Sequence, residues 1–173
     1  MKLLFKVKNK FLKILYNSFG CSFFCPKFIR YFLLRIYGVK IGKHSLIRDH
    51  IYMDSNKVIV GNNSAINVFT KFFTPNQDYS DGYVYIGDNC NIGYSVTFCT
   101  VSHEISNSSR RAGNHIVKTI NVGNGVWICA NSSIYQGVNI GDGVIIAANS
   151  VVIRDCEPNC MYAGVPAKKI KEL

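Results

Sequence analysis

The side chains best suited to chemistry lie in one polar stretch, residues 103–118, which contains His103 and His115. A histidine can take up a proton near neutral pH because its ordinary pKa is about 6.5. Either imidazole could therefore act as a general base, and a loop histidine without a role is the remaining alternative. The four histidines of the chain lack the spacing of a three-histidine zinc site, so we expect no catalytic metal.

These residues interrupt a repeat with a period of six. The aliphatic members are Val122, Ile128, Ile134, Ile140, Ile146 and Val152, and, earlier in the chain, Ile41, Ile47, Val60, Ile66, Ile86 and Ile92. Four positions after each comes a small or β-branched residue or a cysteine, as at Ser64 and Cys90. Gly, Asn or Asp often occupies the positions between the aliphatic residue and this small residue, as in Gly87-Asp88-Asn89. Twelve such hexads favour a repetitive β-structure over a β-sandwich with coincidental Ile-Gly pairs.

The spacing predicts a coil of short parallel strands. Residues two apart in a strand face the same side, so the small residue of one hexad and the aliphatic residue of the next both point inward. The Gly, Asn and Asp residues between them tolerate positive φ and can form a corner. Three hexads would close one triangular turn, and about five turns, stacked about 4.8 Å apart, fit the chain. The pattern does not determine the hand of the coil.

The repeat breaks at residues 75–83 and at residues 103–118, and we expect the second break to be an extended loop that carries function. Before residue 41 the pattern is helical instead. Leu4, Val7, Phe11, Ile14 and Leu15 share one face of a first helix, and Lys2, Lys6, Lys10 and Lys13 share the other. We expect residues 1–40 to be a basic amphipathic helical segment that caps a coil domain at residues 41–173. A short helix is expected at the C-terminus.

The formal charge of +10 is concentrated in this N-terminal segment. Residues 1–40 hold nine Lys/Arg and no acid, whereas residues 41–173 hold eleven Lys/Arg and ten acids. Such a segment favours contact with an anionic membrane surface, or a solvated helix face, over nucleic-acid binding. Its longest uncharged run, residues 14–26, is shorter than the ~20 residues that span a bilayer. With no recognisable secretory signal and no Cys-x-x-Cys pair, we expect free thiols and a cytoplasmic protein, with peripheral membrane contact as a hypothesis.

Several motifs occur in a fixed order in the second half of the chain. They are Ile86-Gly-Asp-Asn, Ser102-His103-Glu104, Arg110-Arg111-Ala112-Gly113, Val122-Gly-Asn-Gly-Val-Trp127-Ile, Ala148-Asn-Ser-Val-Val and Ala163-Gly-Val-Pro-Ala-Lys168. In these motifs the chain resembles the hexapeptide-repeat acetyltransferases of the galactoside and maltose acetyltransferase type. It is most similar to the capsule and lipopolysaccharide O-acetyltransferases built on that repeat. The resemblance implies a left-handed coil, a homotrimer with active sites between neighbouring subunits, and acetyl-CoA as the acyl donor.

The resemblance also implies the reaction. An acetyl group would move to a sugar hydroxyl of a surface polysaccharide or its precursor. His103, which lies 24 residues before Trp127, corresponds to the family's general base. It would take the hydroxyl proton during attack on the thioester, so that transfer is direct and no cysteine is needed as a nucleophile.

Four further side chains are candidates for binding the acceptor. Glu104 could orient the His103 ring or bind the acceptor, and a solvated carboxylate is an equal alternative. Arg110 and Arg111 could contact an acidic sugar, a phosphate or CoA, or could simply be solvated. Trp127, the only tryptophan, could pack beside a sugar ring or be merely structural.

For the donor, the resemblance implies a groove along the last coils, with backbone groups facing the pantetheine and basic side chains facing the phosphates. The residues concerned are Ala130, Ala148, Ile153, Arg154, Lys168 and Lys171. The chain departs from the family pattern at Cys129, where Gly is preferred, and at Gln136, where Pro is frequent. The family's upstream carboxamide has no clean counterpart, and Asn76 and Asp78 are the candidates.

Three other functions fit parts of the sequence. A serine O-acetyltransferase shares the fold and donor, but the long helical N-terminal domain and the Asp-Arg-His-Pro motif of that family are missing. A sugar-nucleotide N-acetyltransferase would need a similar base. A non-enzymatic, membrane-associated scaffold would need neither the histidine stretch nor the C-terminal motif.

Overall fold

The computed structural model describes residues 2–76 and 78–173, with side chains from Lys6 onward. Two helices, α1 (Lys2–Leu15) and α2 (Lys27–Tyr37), flank a π-helical turn (Tyr16–Gly20). The strands that follow are β1 (Lys40–Ile41), β2 (Leu46–Ile47), β3 (Tyr52–Met53), β4 (Val58–Val60), β5 (Ala65–Ile66), β6 (Lys71–Phe73), β7 (Val84–Ile86), β8 (Asn91–Ile92), β9 (Thr97–Cys99), β10 (Val101–Ile105), β11 (Ala112–Val117), β12 (Ile120–Val122), β13 (Trp127–Ile128), β14 (Ser133–Tyr135), β15 (Asn139–Ile140), β16 (Ile145–Ile146), β17 (Val151–Val152), β18 (Cys160–Gly164) and β19 (Ala167–Glu172).

Three parallel sheets form the faces of a triangular coil. Sheet A contains β1, β4, β7, β12 and β15; sheet B contains β2, β5, β8, β13 and β16, followed by β18 and β19; and sheet C contains β3, β6, β9, β14 and β17. The chain visits A, B and C in turn, so five stacked turns result, as the hexad spacing predicts. Backbone N–H groups of one turn donate to carbonyls of the next, as from Gly61 to Ile86 at 2.8 Å.

The inward column of aliphatic side chains is the core of the coil. In sheet B, Ile47, Ile66, Ile92, Ile128 and Ile146 are in register and at most 1% exposed. Full burial of an isoleucine or phenylalanine contributes about 1.5–3 kcal/mol each, so this column is a major source of stability. In sheet C, Phe72 and Phe98 stack with ring centroids 5.1 Å apart.

The corners have the predicted positive φ, but not only at Gly, Asn or Asp. Between sheets A and B the positive-φ residues are His44, Asn63, Asn89, Gly125, Gly143 and Asn159, and between sheets B and C they are His50, Phe69, Ser95, Asn131 and Asn149. The glycine that follows six of the twelve aliphatic residues has a different role. A Cβ at Gly87 would lie 2.6 Å from the Gly123 carbonyl oxygen, so a side chain there would prevent the turns from stacking.

The polar stretch leaves the coil, as predicted, but it is an ordered hairpin and not an irregular loop. Strands β10 and β11 pair antiparallel, with Val101 opposite Val117 and His103 opposite His115. We call residues 101–117 the arm. Both faces of its outer half are exposed, so the sequence lacks the alternation that normally reveals a strand.

The prediction of a short C-terminal helix is wrong. Strands β18 and β19 form an antiparallel hairpin around Val165-Pro166, and β18 continues sheet B beside β16. A helix this short has little stability of its own, whereas β19 pairs with the outer edge of β18 and covers it.

The helices cap the first turn of the coil, but the inward face of α1 differs from the prediction. Leu12 of α1, and Tyr16 just after the end of that helix, are buried in the core. Val7, Phe11 and Ile14 are 55–62% exposed. Helix α2 contributes Leu34 and Tyr37 to the same core, along with Leu33. The side chains of Lys2 and Leu4 lie outside the described residues. Neither described helix is long and apolar enough to cross a bilayer.

Candidate functional site

Both breaks in the repeat leave the coil at the same corner, between sheets C and A. Residues 74–83 connect β6 to β7, and the arm emerges between β9 and β12, one turn further along. Helix α1 reaches this corner in the first turn, because Lys13 binds Asp54 at 2.7 Å. We call this corner of the triangular coil, together with α1, residues 74–83 and the arm, the arm edge.

The two histidines of the arm face each other. Their ring centroids are 4.4 Å apart with an interplanar angle of 41°, as expected for residues directly opposite in an antiparallel pair. Tyr79, from the neighbouring break, lies with its ring 6.4 Å from that of His115. All three side chains are exposed, so the imidazoles are open to a substrate.

Glu104 follows His103 in β10, at a point where the pairing with β11 shifts by one residue. Its Oε2 accepts a hydrogen bond from Asn114 Nδ2 at 3.3 Å. Within this chain it is therefore His115, and not Glu104, that contacts the His103 ring. Arg110 and Arg111 lie at the exposed tip of the arm, where Arg111 donates to the Ser106 carbonyl at 3.2 Å.

Residues 79–82 are held against the coil by a buried lysine. Lys57 is 2% exposed, and its Nζ donates to the carbonyls of Tyr79 and of Asp81, the latter at 2.7 Å. Burial lowers the pKa of this ammonium group. On the outer side, Asp81 accepts hydrogen bonds from the Thr119 hydroxyl and from the Gly82 N–H, and these lower the pKa of its carboxyl.

A cavity of about 250 Å³ lies under α1 on the same edge. Its lining combines cationic and anionic groups, and it comprises Lys6, Asn9, Lys10, Lys13, Tyr37, Asp54, Ser55, Asn76 and Asp78. The volume is slightly below the range of about 300–1,000 Å³ typical of ligand pockets, so the cavity has room for a small group only. Asp78 lines the cavity and the adjacent Tyr79 approaches His115, so the cavity and the histidine pair are neighbours through two consecutive residues.

The predicted Trp127 lies elsewhere in the chain. It begins β13 in sheet B, directly after the corner between sheets A and B, and it is 50% exposed. Sheet A separates this corner from the arm edge. One chain therefore does not bring Trp127 and His103 together.

The residues predicted to hold the donor lie on the last turns. Ala130 and Ala148 occupy equivalent corners between sheets B and C, where Asn149 N–H donates to the Ala130 carbonyl at 3.0 Å. Ile153 and Arg154 follow β17 at the end of sheet C and are exposed.

The two lysines predicted to face CoA lie on β19. Lys168 and Lys171 are exposed and form no ion pair within the described ranges. By contrast, Lys169 binds Glu157 at 2.8 Å and Glu172 at 3.0 Å, and these contacts raise its pKa. Lys168 and Lys171 are thus the β19 lysines open to an anionic ligand.

Nothing in the described residues groups three or more His, Cys, Asp or Glu side chains in an arrangement that could hold a metal ion. The seven cysteines are free thiols, and Cys90 and Cys156 are buried in the coil. Burial raises the pKa of both thiols, which disfavours the thiolate that a nucleophile would need.

Comparison with known proteins agrees with this architecture. The family profile for the bacterial transferase hexapeptide (six repeats) matches residues 119–154. Galactoside O-acetyltransferase of Escherichia coli (strain K12) is 32% identical over 134 residues, which cover 77% of this chain and 63% of that protein. A hexapeptide-repeat acetyltransferase of Vibrio cholerae, solved with acetyl-CoA, superposes with a TM-score of 0.82 at 29% identity, covering 98% of this chain and 87% of that one. Galactoside acetyltransferase solved with coenzyme A gives 0.81 at 29% identity, covering 96% and 80%.

The chain therefore carries, at residues 119–154, the repeat of the bacterial hexapeptide transferases. Its coil is the left-handed parallel β-helix of that family, which confirms the fold and the resemblance inferred from the sequence. Its match spans between 40% and 63% of the length of the curated relatives.

Sequence reasoning missed Lys57, Tyr79 and Thr119, which join residues 79–82 to the coil and to the arm. The sequence did indicate that the two breaks lie side by side, because both follow a strand of sheet C in consecutive turns of the repeat. Both segments must therefore leave the coil at one corner. Which side chains meet there depends on the path outside the coil, and the repeat does not specify that path.

We predict that Lys57→Met loosens residues 79–82 without unfolding the coil. The substitution keeps the length of the side chain but removes the donor to two carbonyls, and each lost hydrogen bond to a charged group costs about 1.5–3 kcal/mol. Amide hydrogen exchange should accelerate at residues 79–82 and at the arm while sheet B stays protected. Lys71→Met, on the exposed face of β6, is the matched control, and equal exchange in both variants would refute the anchoring role.

Proposed function

We propose that the protein is an acetyl-CoA-dependent O-acetyltransferase that modifies a sugar hydroxyl of a surface polysaccharide or its precursor. The observation that carries the proposal is the exposed histidine pair on the arm, beside a cavity lined by charged residues, in a chain that carries the hexapeptide-transferase repeat. The names of its relatives support the reaction type: the E. coli relative is a galactoside O-acetyltransferase, and the solved V. cholerae and galactoside enzymes hold acetyl-CoA and coenzyme A.

His103 is the general base of the proposed reaction. Its imidazole takes the proton of the acceptor hydroxyl while the oxygen attacks the thioester carbonyl carbon. The carbon–sulfur bond then breaks, and the proton passes to the departing sulfur to give CoA and the acetyl ester. Correctly placed base catalysis accelerates such a step by about 10²–10⁴-fold. His115, 4.4 Å away ring to ring, limits the positions that the His103 ring can adopt.

The donor site is proposed on the last turns. Small side chains at Ala130 and Ala148 leave the backbone at the corner open to a pantetheine chain, with Ile153 as an apolar neighbour. Arg154, Lys168 and Lys171 supply positive charge for the phosphates, and the two lysines, exposed and without an ion pair to any described residue, fit that role.

The acceptor is proposed to bind along the arm edge. Glu104, Arg110 and Arg111 present charged groups on the arm, and the cavity under α1 offers room for one small polar unit. Asn76 and Asp78, which line that cavity, remain the candidates for the family's upstream polar partner.

A homotrimer is proposed because one chain holds only part of the site. Trp127 and His103 lie at different corners of the prism, so a neighbouring subunit must supply the aromatic surface if both act on one acceptor. We place the enzyme in the cytoplasm, where acetyl-CoA is available, with peripheral contact at the inner face of the membrane.

His103→Ala is expected to lower kcat for acetyl transfer by about 10²–10⁴-fold, because the hydroxyl loses its proton acceptor. Oligomeric state and CoA binding, measured by analytical ultracentrifugation and calorimetry, should not change. His44→Ala, at an exposed corner of the first turn, is the matched control. A full rate in His103→Ala, with loss of rate only in His115→Ala, would transfer the role of base to His115.

The acceptor class is tested with a panel of substrates. We expect acetyl ester formation on oligosaccharides or a lipid-linked sugar to exceed transfer to free serine or to an amino-sugar nucleotide by orders of magnitude in kcat/KM. Mass spectrometry of the products distinguishes ester from amide. Preferential acetylation of serine or of the nucleotide amine would replace the proposed acceptor, and no turnover with any acceptor would favour a scaffold.

A further inference from the structure

The helical cap exposes many large apolar side chains. Nine of them occur between residues 7 and 36: Val7, Phe11, Ile14, Phe19, Phe23, Phe24, Phe28, Phe32 and Ile36. Six of the seven exposed phenylalanines of the described chain are in this set. Scattered apolar residues on a surface need no explanation, but a concentration of this kind marks a surface that meets an apolar partner.

The exposed residues follow the helical period on the side away from the coil. Phe28, Phe32 and Ile36 are spaced by four residues along α2, while Leu33, Leu34 and Tyr37 on the opposite side enter the core. Helix α1 repeats the arrangement, with Val7, Phe11 and Ile14 outward and Leu12 inward. Each helix is thus apolar on both sides, and only one side is used by the fold.

The segment between the helices is held in shape by a buried cation. Arg30 is 7% exposed and donates to the carbonyls of Gly20 at 3.0 Å, Ser22 at 2.9 Å and Cys25 at 3.3 Å. This segment carries Phe23 and Phe24, which are 72% and 85% exposed with ring centroids 5.7 Å apart. These two exposed rings therefore project from a turn that is already ordered, which lowers the entropy lost when they bind.

Positive charge borders the apolar side chains. Lys8 and Lys10 flank the exposed stripe of α1, and Lys27 and Arg35 are exposed on α2. Lys6 and Lys13, which the sequence placed on a basic outer face, instead bind Asp78 and Asp54 of the protein itself. Residues 1–40 contain no acid to balance these cations.

We propose that the exposed surface of residues 7–36 docks on an anionic phospholipid membrane, with Phe23 and Phe24 entering the boundary between headgroups and acyl chains. An apolar helix face bordered by Lys and Arg is the arrangement found in helices that lie in this boundary. A second copy of the same surface would bring positive charge against positive charge, whereas anionic lipid complements it. Docking through this surface does not involve the histidines of the arm, so it is independent of the proposed acetyl transfer.

Co-sedimentation with lipid vesicles tests the surface. The native protein should pellet with vesicles of phosphatidylglycerol and phosphatidylcholine, and binding should weaken with salt and on pure phosphatidylcholine. Phe23→Ser combined with Phe24→Ser and Phe28→Ser should weaken binding by more than about a hundredfold, because burial of each ring is lost. Lys27→Gln and Arg35→Gln should each weaken it about fivefold. Tyr94→Ser with Tyr135→Ser, exposed aromatics of the coil, is the matched control and should bind as the native protein does.

Circular dichroism and sedimentation velocity of each variant separate docking from folding and assembly. The triple variant should keep its helical signal and its oligomeric state but no longer bind the vesicles. Native protein that stays in the supernatant with anionic vesicles, or a triple variant that pellets as well as the control, overturns the proposal. A triple variant that falls to a smaller oligomer also overturns it, because the surface would then be a contact between copies.

Discussion

The pairing of each strand with the strands one turn before and one turn after it is the constraint on which the whole molecule depends. Strands of two or three residues have no stability alone, and their N–H and C=O groups are satisfied only by this ladder. A register of six residues per face keeps the ladder continuous. The inward column of Ile47, Ile66 and Ile92 excludes water from the interior of the coil. An insertion can therefore leave only at a corner, where the ladder is already interrupted.

Because insertions can leave the coil only at its corners, two polar segments that lack a regular strand pattern come together as a candidate site. Two insertions in consecutive turns share the corner between sheets C and A, so they emerge side by side and contact each other through Tyr79 and His115. Lys57 then holds the first insertion to the rigid coil, and backbone pairing within the arm holds His103 opposite His115. The same rigidity keeps Trp127 on a different edge, so that the site proposed here needs a second subunit.

Much of the coil could be predicted from the sequence because its period is set by the backbone. The five turns, the inward aliphatic residues and the point at which the arm leaves all follow from counting in sixes. The state of the polar stretch did not follow, because a hairpin exposed on both faces has no alternation. The C-terminal hairpin was missed because β19 is ordered by its partner β18 and not by its own composition.

Helix α1 shows a second limit of pattern reading. Its sequence contains two apolar stripes. One includes Leu12 and, just beyond the helix, Tyr16, and the other includes Val7, Phe11 and Ile14. Periodicity alone cannot decide which stripe packs against the coil. The structure uses the first, together with an ion pair from Lys13. The second stripe is then left on the surface with lysines beside it. Of the site itself, His103 followed from residue type and family resemblance, whereas its neighbours depended on three-dimensional contact.

A crystal structure of the protein with bound CoA is the most direct test of the claim that the arm edge carries the chemistry. We expect the thiol of CoA to lie beside the His103 imidazole of one subunit, at a boundary to which the neighbouring subunit contributes Trp127. A thiol bound far from the arm, or a donor site completed within one chain away from any subunit boundary, would contradict it.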